Sequence, residues 1–348
     1  MSSSRRSLCR GALILAAVSF AGCSGSQLPA SHPGLPALTM PHYVPSARHR
    51  DARRSWMSPD AKRLKQLLYI SDWDTNDVYV YDYKTRAQVG TLTGFDEPYG
   101  QCVDSKGDVF VANFNGASLV EYAHGGSTPI ATLSTDGSTI GCSVDKRGDV
   151  AAANFVTDSG TGDIQVFAHG GGTPTVYTNG SCAYLWPPGY DDKGNLYVQG
   201  ESDDFFVCEL PAGGNALRTV SVNQKINFGG SVMWDGKYIT LTDTEYNGEP
   251  DGTGIVQATE SSSGDLTVVN ETLLQDTCEG SYVDVVQPFI VGEKNTPVNR
   301  KQGTAVAGAD LWCTSQAYAI WAYPGGGDPA RSIASAPPAY GQAVSIAP

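Results

Sequence analysis

One short phrase recurs down this chain at a regular interval, and it fixes what the chain can fold into. Val103-Asp104-Ser105-Lys106-Gly107-Asp108-Val109-Phe110-Val111-Ala112-Asn113 returns as Val144-Asp145-Lys146-Arg147-Gly148-Asp149-Val150, continuing to Asn154. It appears again as Asp191-Asp192-Lys193-Gly194-Asn195-Leu196-Tyr197-Val198, and more loosely as Trp234-Asp235-Gly236-Lys237-Tyr238-Ile239-Thr240. A period of roughly 40 residues made of short strands and Gly-rich turns is the mark of a β-propeller. Each unit reads as a four-stranded antiparallel blade. An inner strand of small residues (Tyr99-Gly100-Gln101-Cys102-Val103) leads through a Gly-containing hairpin to a second strand, Val109-Phe110-Val111-Ala112, apolar on both faces. Ser118-Leu119-Val120-Glu121-Tyr122 is the third strand, and Gly125-Gly126 turns the chain into an outer one, Pro129-Ile130-Ala131-Thr132-Leu133.

The glycine turn returns as Gly170-Gly171-Gly172, Gly213-Gly214 and Gly325-Gly326-Gly327. Inner strands fall near 98–104, 139–145, 185–191, 229–235, 280–286 and 339–346, which makes six blades. Residues 67–93 supply three strands and no inner one, whereas Tyr340-Gly341-Gln342-Ala343-Val344-Ser345 matches the inner strand Tyr99-Gly100-Gln101-Cys102-Val103-Asp104. The sequence therefore predicts an all-β, six-bladed propeller over 66–348, closed by the C-terminal strand joining the N-terminal blade, with no open sheet edge. Residues 244–254 and 295–315 are insertions, and long loops on a rigid scaffold are where binding concentrates.

The N-terminus reads as an address. Arg5, Arg6 and Arg10 precede the apolar run Gly11–Phe20, which is too short to span a bilayer. Phe20-Ala21-Gly22-Cys23 resembles the lipobox of bacterial lipoproteins, which implies removal of residues 1–22 as a signal peptide and acylation of Cys23; plain secretion is the alternative. Ser4-Arg5-Arg6-Ser7-Leu8 is similar to a twin-arginine signal. Residues 23–65, rich in Ser, Pro and Arg, read as a disordered tether. These features place the protein at the bacterial cell envelope, exported and membrane-anchored through lipid alone.

Charge narrows the partners. Of 23 Lys+Arg and 36 Asp+Glu, residues 1–65 hold ten basic and two acidic groups, which leaves 13 basic and 34 acidic on the propeller, a net of −21. Such a surface repels nucleic acid and favours cations or basic partners. Six cysteines remain besides Cys9 and Cys23. An even number in an exported chain suggests disulfides. Repeat alignment favours Cys182 with Cys208 and Cys278 with Cys313; Cys102 and Cys142, on neighbouring inner strands, are either a third pair or two buried thiols.

Few residues in the propeller offer catalytic chemistry. His124 and His169 are its two histidines and occupy equivalent places before glycine turns, as structural residues do. G-x-S-x-G, H-E-x-x-H, P-loop and G-x-G-x-x-G motifs are absent from the sequence. The residues that end second strands should point to the channel mouth: Asp72, Asn113, Asn154, Gly200, Asp243 (or Thr242) and Glu293. They can ligate a metal, or simply cap strand ends. Asp72-Trp73-Asp74-Thr75-Asn76-Asp77 and Asp243-Thr244-Glu245-Tyr246-Asn247-Gly248 also resemble the first half of a calcium loop without its closing Glu, so calcium or another divalent cation is the cofactor to consider. Trp73, Phe114 and Phe155 follow the repeat and read as wedges between blades; Trp186, Tyr246 and Trp312 lie outside it and read as ligand-facing.

The repeated V-D-x-x-G-D/N-hydrophobic phrase resembles the six-bladed propellers of the NHL-repeat and gluconolactonase-like superfamily. The resemblance covers 66–348 and implies one divalent metal on the axis held by Glu, Asn and Asp of different blades, with the metal polarising a lactone carbonyl and an Asp as general base. The family's local motifs do not map onto this chain. The sequence thus favours a monomeric, non-catalytic scaffold that binds an envelope protein, peptide or glycan. The alternative is a metal-dependent lactonase-like hydrolase with Asn154, Asp243 and Glu293 as ligands.

Overall fold

The computed structural model describes residues 54–202, 204–227, 229–243, 253–274, 283–286, 303–307, 317–328, 330–334 and 341–348, all within one compact unit, Pro45–Pro348. Its strands form antiparallel sheets arranged as a propeller. The first sheet holds β1 (Trp56–Met57), β2 (Gln66–Asp72), β3 (Asp77–Asp82) and β4 (Gln88–Thr93). The second holds β5 (Pro98–Val103), β6 (Val109–Asn113), β7 (Ser118–Tyr122) and β8 (Pro129–Ser134). The third holds β9 (Gly137–Val144), β10 (Val150–Thr157), β11 (Asp163–Phe167) and β12 (Thr175–Tyr177), and the fourth β13 (Gly189–Tyr190), β14 (Leu196–Glu201), β15 (Phe205–Leu210) and β16 (Arg218–Val220). Next come β17 (Gly229–Trp234), β18 (Ile239–Asp243), β19 (Thr253–Glu260) and β20 (Leu266–Leu274), then β21 (Val283–Val286), β22 (Gly303–Ala307), β23 (Ala317–Tyr323) and β24 (Arg331–Ala334). The last strand, β25 (Gly341–Ile346), returns to the first sheet, whose order is β1-β4-β3-β2-β25.

The expectation of uniform four-stranded blades needs one correction. Among the described residues five sheets are four-stranded, but the closing sheet has five strands, because Trp56–Met57 pairs with Gly90 and Thr91 on its outer edge. The propeller therefore begins before residue 66. Ala61, in a 3-10 turn over Ala61–Arg63, is fully buried, so the end of the stretch read as tether belongs to the fold. Composition hid this, since two residues of strand leave no periodicity to detect.

Burial falls from axis to rim as the sequence pattern requires. The second strand β6 is buried along Val109–Ala112, whereas the outer strand β8 exposes all but Ala131 and Leu133. Inner strands touch one another in the cyclic order β25, β5, β9, β13, β17, β21 and back to β25. Their approach leaves no room for side chains at some positions: a β-carbon on Gly341 would lie 2.5 Å from the Tyr99 carbonyl oxygen.

The repeated phrase is a turn held by its own aspartate. Asp104 Oδ1 accepts the backbone N–H groups of Lys106 (2.8 Å) and Asp108 (2.9 Å), while Gly107 takes φ +84°. Asp145 and Asp191 do the same with Arg147 and Asp149, and with Lys193 and Asn195. Asp235 holds a shorter version with Lys237 and Tyr238. The recurrence is thus a solution to an orphaned-donor problem at one end of four successive first hairpins.

Among the described residues two disulfides reinforce the propeller. Cys102–Cys142 joins inner strands β5 and β9 of successive blades, so the pair read as either bridged or free is bridged. Cys182–Cys208 ties the connection before β13 to β15, as favoured from the repeat; Cys278 and Cys313 lie outside the described residues. The first bridge closes a sequence separation of 40 residues. On the loop-closure relation, replacing both Cys102 and Cys142 by Ala should lower the unfolding free energy by about 4 kcal/mol. Urea unfolding measures this directly, and a midpoint unchanged from the parent would contradict it.

Candidate functional site

The connections between second and third strands and those from outer to inner strands share one end of the sheets. Pro98 pairs with Asn113, and Asp77 with both Asp72 and Thr93. This upper face carries the strand-end residues singled out from the sequence. Asp72 is buried, and its oxygens are spent on its own turn: Oδ1 accepts from the Asp74 (2.9 Å) and Thr75 (3.3 Å) N–H groups and Oδ2 from the Thr75 hydroxyl (2.7 Å). Burial still pushes its carboxyl up to about 6, with those donors working against it. The half calcium loop starting at Asp72 is therefore a self-capped turn.

Asn113 Oδ1 accepts the Asp96 N–H (2.6 Å), which ties the second blade to the loop that enters it. Asn154 is fully buried; it accepts from the Thr139 hydroxyl (2.9 Å) and donates to Asp163 (2.7 Å). Gln165 Nε2 extends that network to Asp163 and to Asp136. Burial raises the Asp163 carboxyl, opposed by the Asn154 and Gln165 donors. Asp243 accepts from the Asn227 backbone (3.3 Å) and side chain (3.4 Å). Each of these four side chains is engaged within its own blade or with the adjoining loop.

Glu293 lies outside the described residues. Cys23, Tyr246 and Trp312 also lie outside the described residues. Trp186 does not face a ligand: it is 3% exposed and packs 5.3 Å from the Phe155 ring, inside the core. Phe155 also meets Tyr184 at 5.4 Å, and Trp73 meets Phe114 at 5.4 Å and Tyr99 at 5.6 Å, so the repeated aromatics do wedge successive units together. Trp73 and Phe114 remain half-buried on the upper face.

His124 and His169 take structural roles. His124 is buried, with Nδ1 2.6 Å from Ser345 Oγ and Nε2 2.8 Å from the Leu64 carbonyl, and burial draws its pKa below the ordinary histidine value. His169 accepts strain at φ +51° in an exposed turn, where its N–H donates to Asp149.

Sequence reasoning missed two features. Among the described residues one acidic triad brings donor oxygens within 4.8 Å of one another: Asp104, Asp108 and Glu121. It lies at the lower end, away from Asn113, and shares no residue with the predicted metal set. Burial and mutual repulsion raise the Asp108 and Glu121 carboxyls. In the next blade an arginine answers the same need, Arg147 reaching Asp145 and Asp149 at 2.9 Å each. The recurrence of Asp at both turn positions was the available signal.

The second is Glu97, in the loop entering the second blade. Its φ is +58°, its N–H donates to Asn76 Oδ1 (2.7 Å), and its carbonyl accepts from Phe114 (2.9 Å). Burial, then the neighbouring Asp96, pushes its carboxyl up to about 7. Farther round the same face, a cleft of about 270 Å³ opens between Asp204–Val207 and Val220–Ile226, walled by Phe205, Phe206, Val222 and Ile226 with Lys225 at its rim.

No family model matches this chain, and no curated protein does. Solved structures do resemble it. A Bacteroides caccae protein of unknown function is 12% identical with a TM-score of 0.54, over 81% of this chain and 99% of that one. The hydrazine synthase of Kuenenia stuttgartiensis is 14% identical with a TM-score of 0.50, over 76% and 74% of the two chains. Virginiamycin B lyase from Staphylococcus aureus is 9% identical at a TM-score of 0.46, over 62% and 73%. At such identities the likeness to the first two shows the fold alone and nothing of activity.

Proposed function

We propose that this chain is an exported, lipid-anchored six-bladed propeller whose upper face is a binding scaffold for a protein, peptide or glycan. The observation that carries the reading is the engagement of the strand-end side chains. Asp72, Asn113, Asn154 and Asp243 give their oxygens to turns, loops and neighbouring side chains, while half-buried aromatics and acidic loops face outward beside them. A lactonase-like centre would need those same oxygens directed at one ion. The cyclic contact of inner strands supports a six-bladed ring, and the repeated V-D-x-x-G-D/N phrase supports the NHL-repeat kind. Two disulfides suit an oxidising compartment, and the lipobox-like Phe20-Ala21-Gly22-Cys23 supports anchoring through Cys23.

The test is a binding screen of the purified mature chain against immobilised peptides and glycans, run beside a panel of lactones with calcium and with a chelator. Saturable binding to a peptide or glycan without lactone turnover is the expected result. Calcium-dependent hydrolysis that disappears with the chelator would replace the scaffold by an enzyme.

A further inference from the structure

We propose that the upper face holds a subsite for the cationic side chain of a basic peptide, with Glu97 as its counter-ion and the Trp73–Phe114 aromatic pair as its wall. This rests on the scaffold reading and names the partner's chemistry. Three observations meet at one place. Glu97 is held from both sides, its N–H on Asn76 of the turn that follows Trp73 and its carbonyl on the N–H of Phe114 itself. The Trp73 and Phe114 rings lie 5.4 Å apart and both stay half-buried. Glu97 and Asn76 both sit in the left-handed region, at φ +58° and +60°. Non-glycine residues kept there cost about 1–3 kcal/mol each and persist where their surroundings over-determine them, most often at binding sites.

What Glu97 lacks points to the ligand. Its carboxylate is half-buried, and no donor among the described residues offsets that burial; the neighbouring influence is another carboxylate, Asp96. In the loop that enters the next blade the comparable acid, Asp136, receives Gln165. A cation arriving at Glu97 would relieve the burial penalty and gain the faces of the aromatic rings. Asp74 and Asp96 are exposed on either side, so negative charge extends past a single side chain. That spread fits a run of basic residues better than a lone amine. The net charge of −21 over 66–348, from 13 basic and 34 acidic groups, draws such a peptide in from a distance.

The experiment is calorimetric titration of the mature chain with a tri-lysine peptide capped at both ends, with the matching tri-serine peptide and calcium chloride as separate titrants. Tri-lysine should bind, tri-serine should not, and Glu97→Gln should weaken tri-lysine about tenfold, equivalent to about 1.4 kcal/mol. Trp73→Leu should weaken it as well, with quenching of tryptophan fluorescence by the peptide lost. Glu121→Gln, at the lower end of the same blade, should leave the affinity unchanged. Unaltered tri-lysine affinity in Glu97→Gln overturns this site while leaving a scaffold that binds elsewhere. Glu97-dependent binding of calcium with no binding of tri-lysine overturns it in favour of a metal. Failure of every peptide and glycan in the broader screen sinks the scaffold reading itself.

Discussion

Removal of Gly341–Pro348 should leave a chain with no cooperative unfolding transition. The lost strand pairs with β2 from Gln66↔Ile346 to Ser71↔Gly341, and its Gln342, Ala343, Val344 and Ser345 are buried. Val344 belongs to the cluster of Leu68, Ile70, Tyr81 and Ile320, so its absence opens apolar surface on both sides of the seam. Ser345 Oγ reaches the Gly107 carbonyl and His124 Nδ1, each at 2.6 Å, and Ala347 donates to Lys65 (2.9 Å). The tail therefore links the start of the propeller to its second blade. Each fully buried aliphatic side chain contributes about 1.5–3 kcal/mol, against a total stability of about 5–15 kcal/mol for a typical domain. The truncation also leaves β2 as an open inner edge, which promotes aggregation. Val344→Asp should reproduce the loss without shortening the chain. Ser345→Ala should be milder, about 1–3 kcal/mol, since it leaves the Gly107 carbonyl short of a donor. Circular dichroism melts and size exclusion of the three variants decide the matter. A truncated chain that still melts sharply near the parent midpoint would show that the ring does not depend on this closure.

The architecture was legible because one local device repeats. A carboxylate that captures two backbone donors, followed by a glycine with positive φ, leaves the same mark in the sequence each time it closes a hairpin. The match of Tyr340–Ser345 to Tyr99–Asp104 placed the tail for the same reason. The site was far less legible. Asp72 and Asn154 have the composition of metal ligands, and only the partners they find in space reveal that their oxygens are taken. Trp186 fell outside the repeat and so looked free for a ligand, but an irregular inner segment still has a core to fill. Glu97 carries no motif. Its importance comes from a left-handed backbone, burial and two brackets from other loops, and none of these is a property of neighbouring letters.

Stability should fall, by several degrees in thermal midpoint, as pH rises from about 5 to about 8. Six carboxyls are shifted in one direction by burial: Asp72 up to about 6, Glu97 up to about 7, and Asp108, Glu121, Asp163 and Glu209 also upward. A carboxyl whose folded pKa exceeds its unfolded value of about 4 holds its proton more tightly when folded. Its contribution is complete below that unfolded value and is lost as pH climbs through the folded one. His124 acts oppositely: its pKa is lowered, so its contribution is present above about 6.5 and lost on acidification. One histidine stands against six carboxyls, and the net charge of −13 adds repulsion that also grows with pH. Scanning fluorimetry across the range measures the slope. Glu97→Gln should flatten its upper part, around pH 7, because that side chain no longer ionises. A midpoint that climbs steadily from pH 5 to pH 8 would mean that the buried carboxyls find cations on folding. Tri-lysine peptide should act in the same sense at Glu97 alone, raising the midpoint more at pH 8, where the carboxylate is charged, than at pH 5.5, and losing that difference in Glu97→Gln.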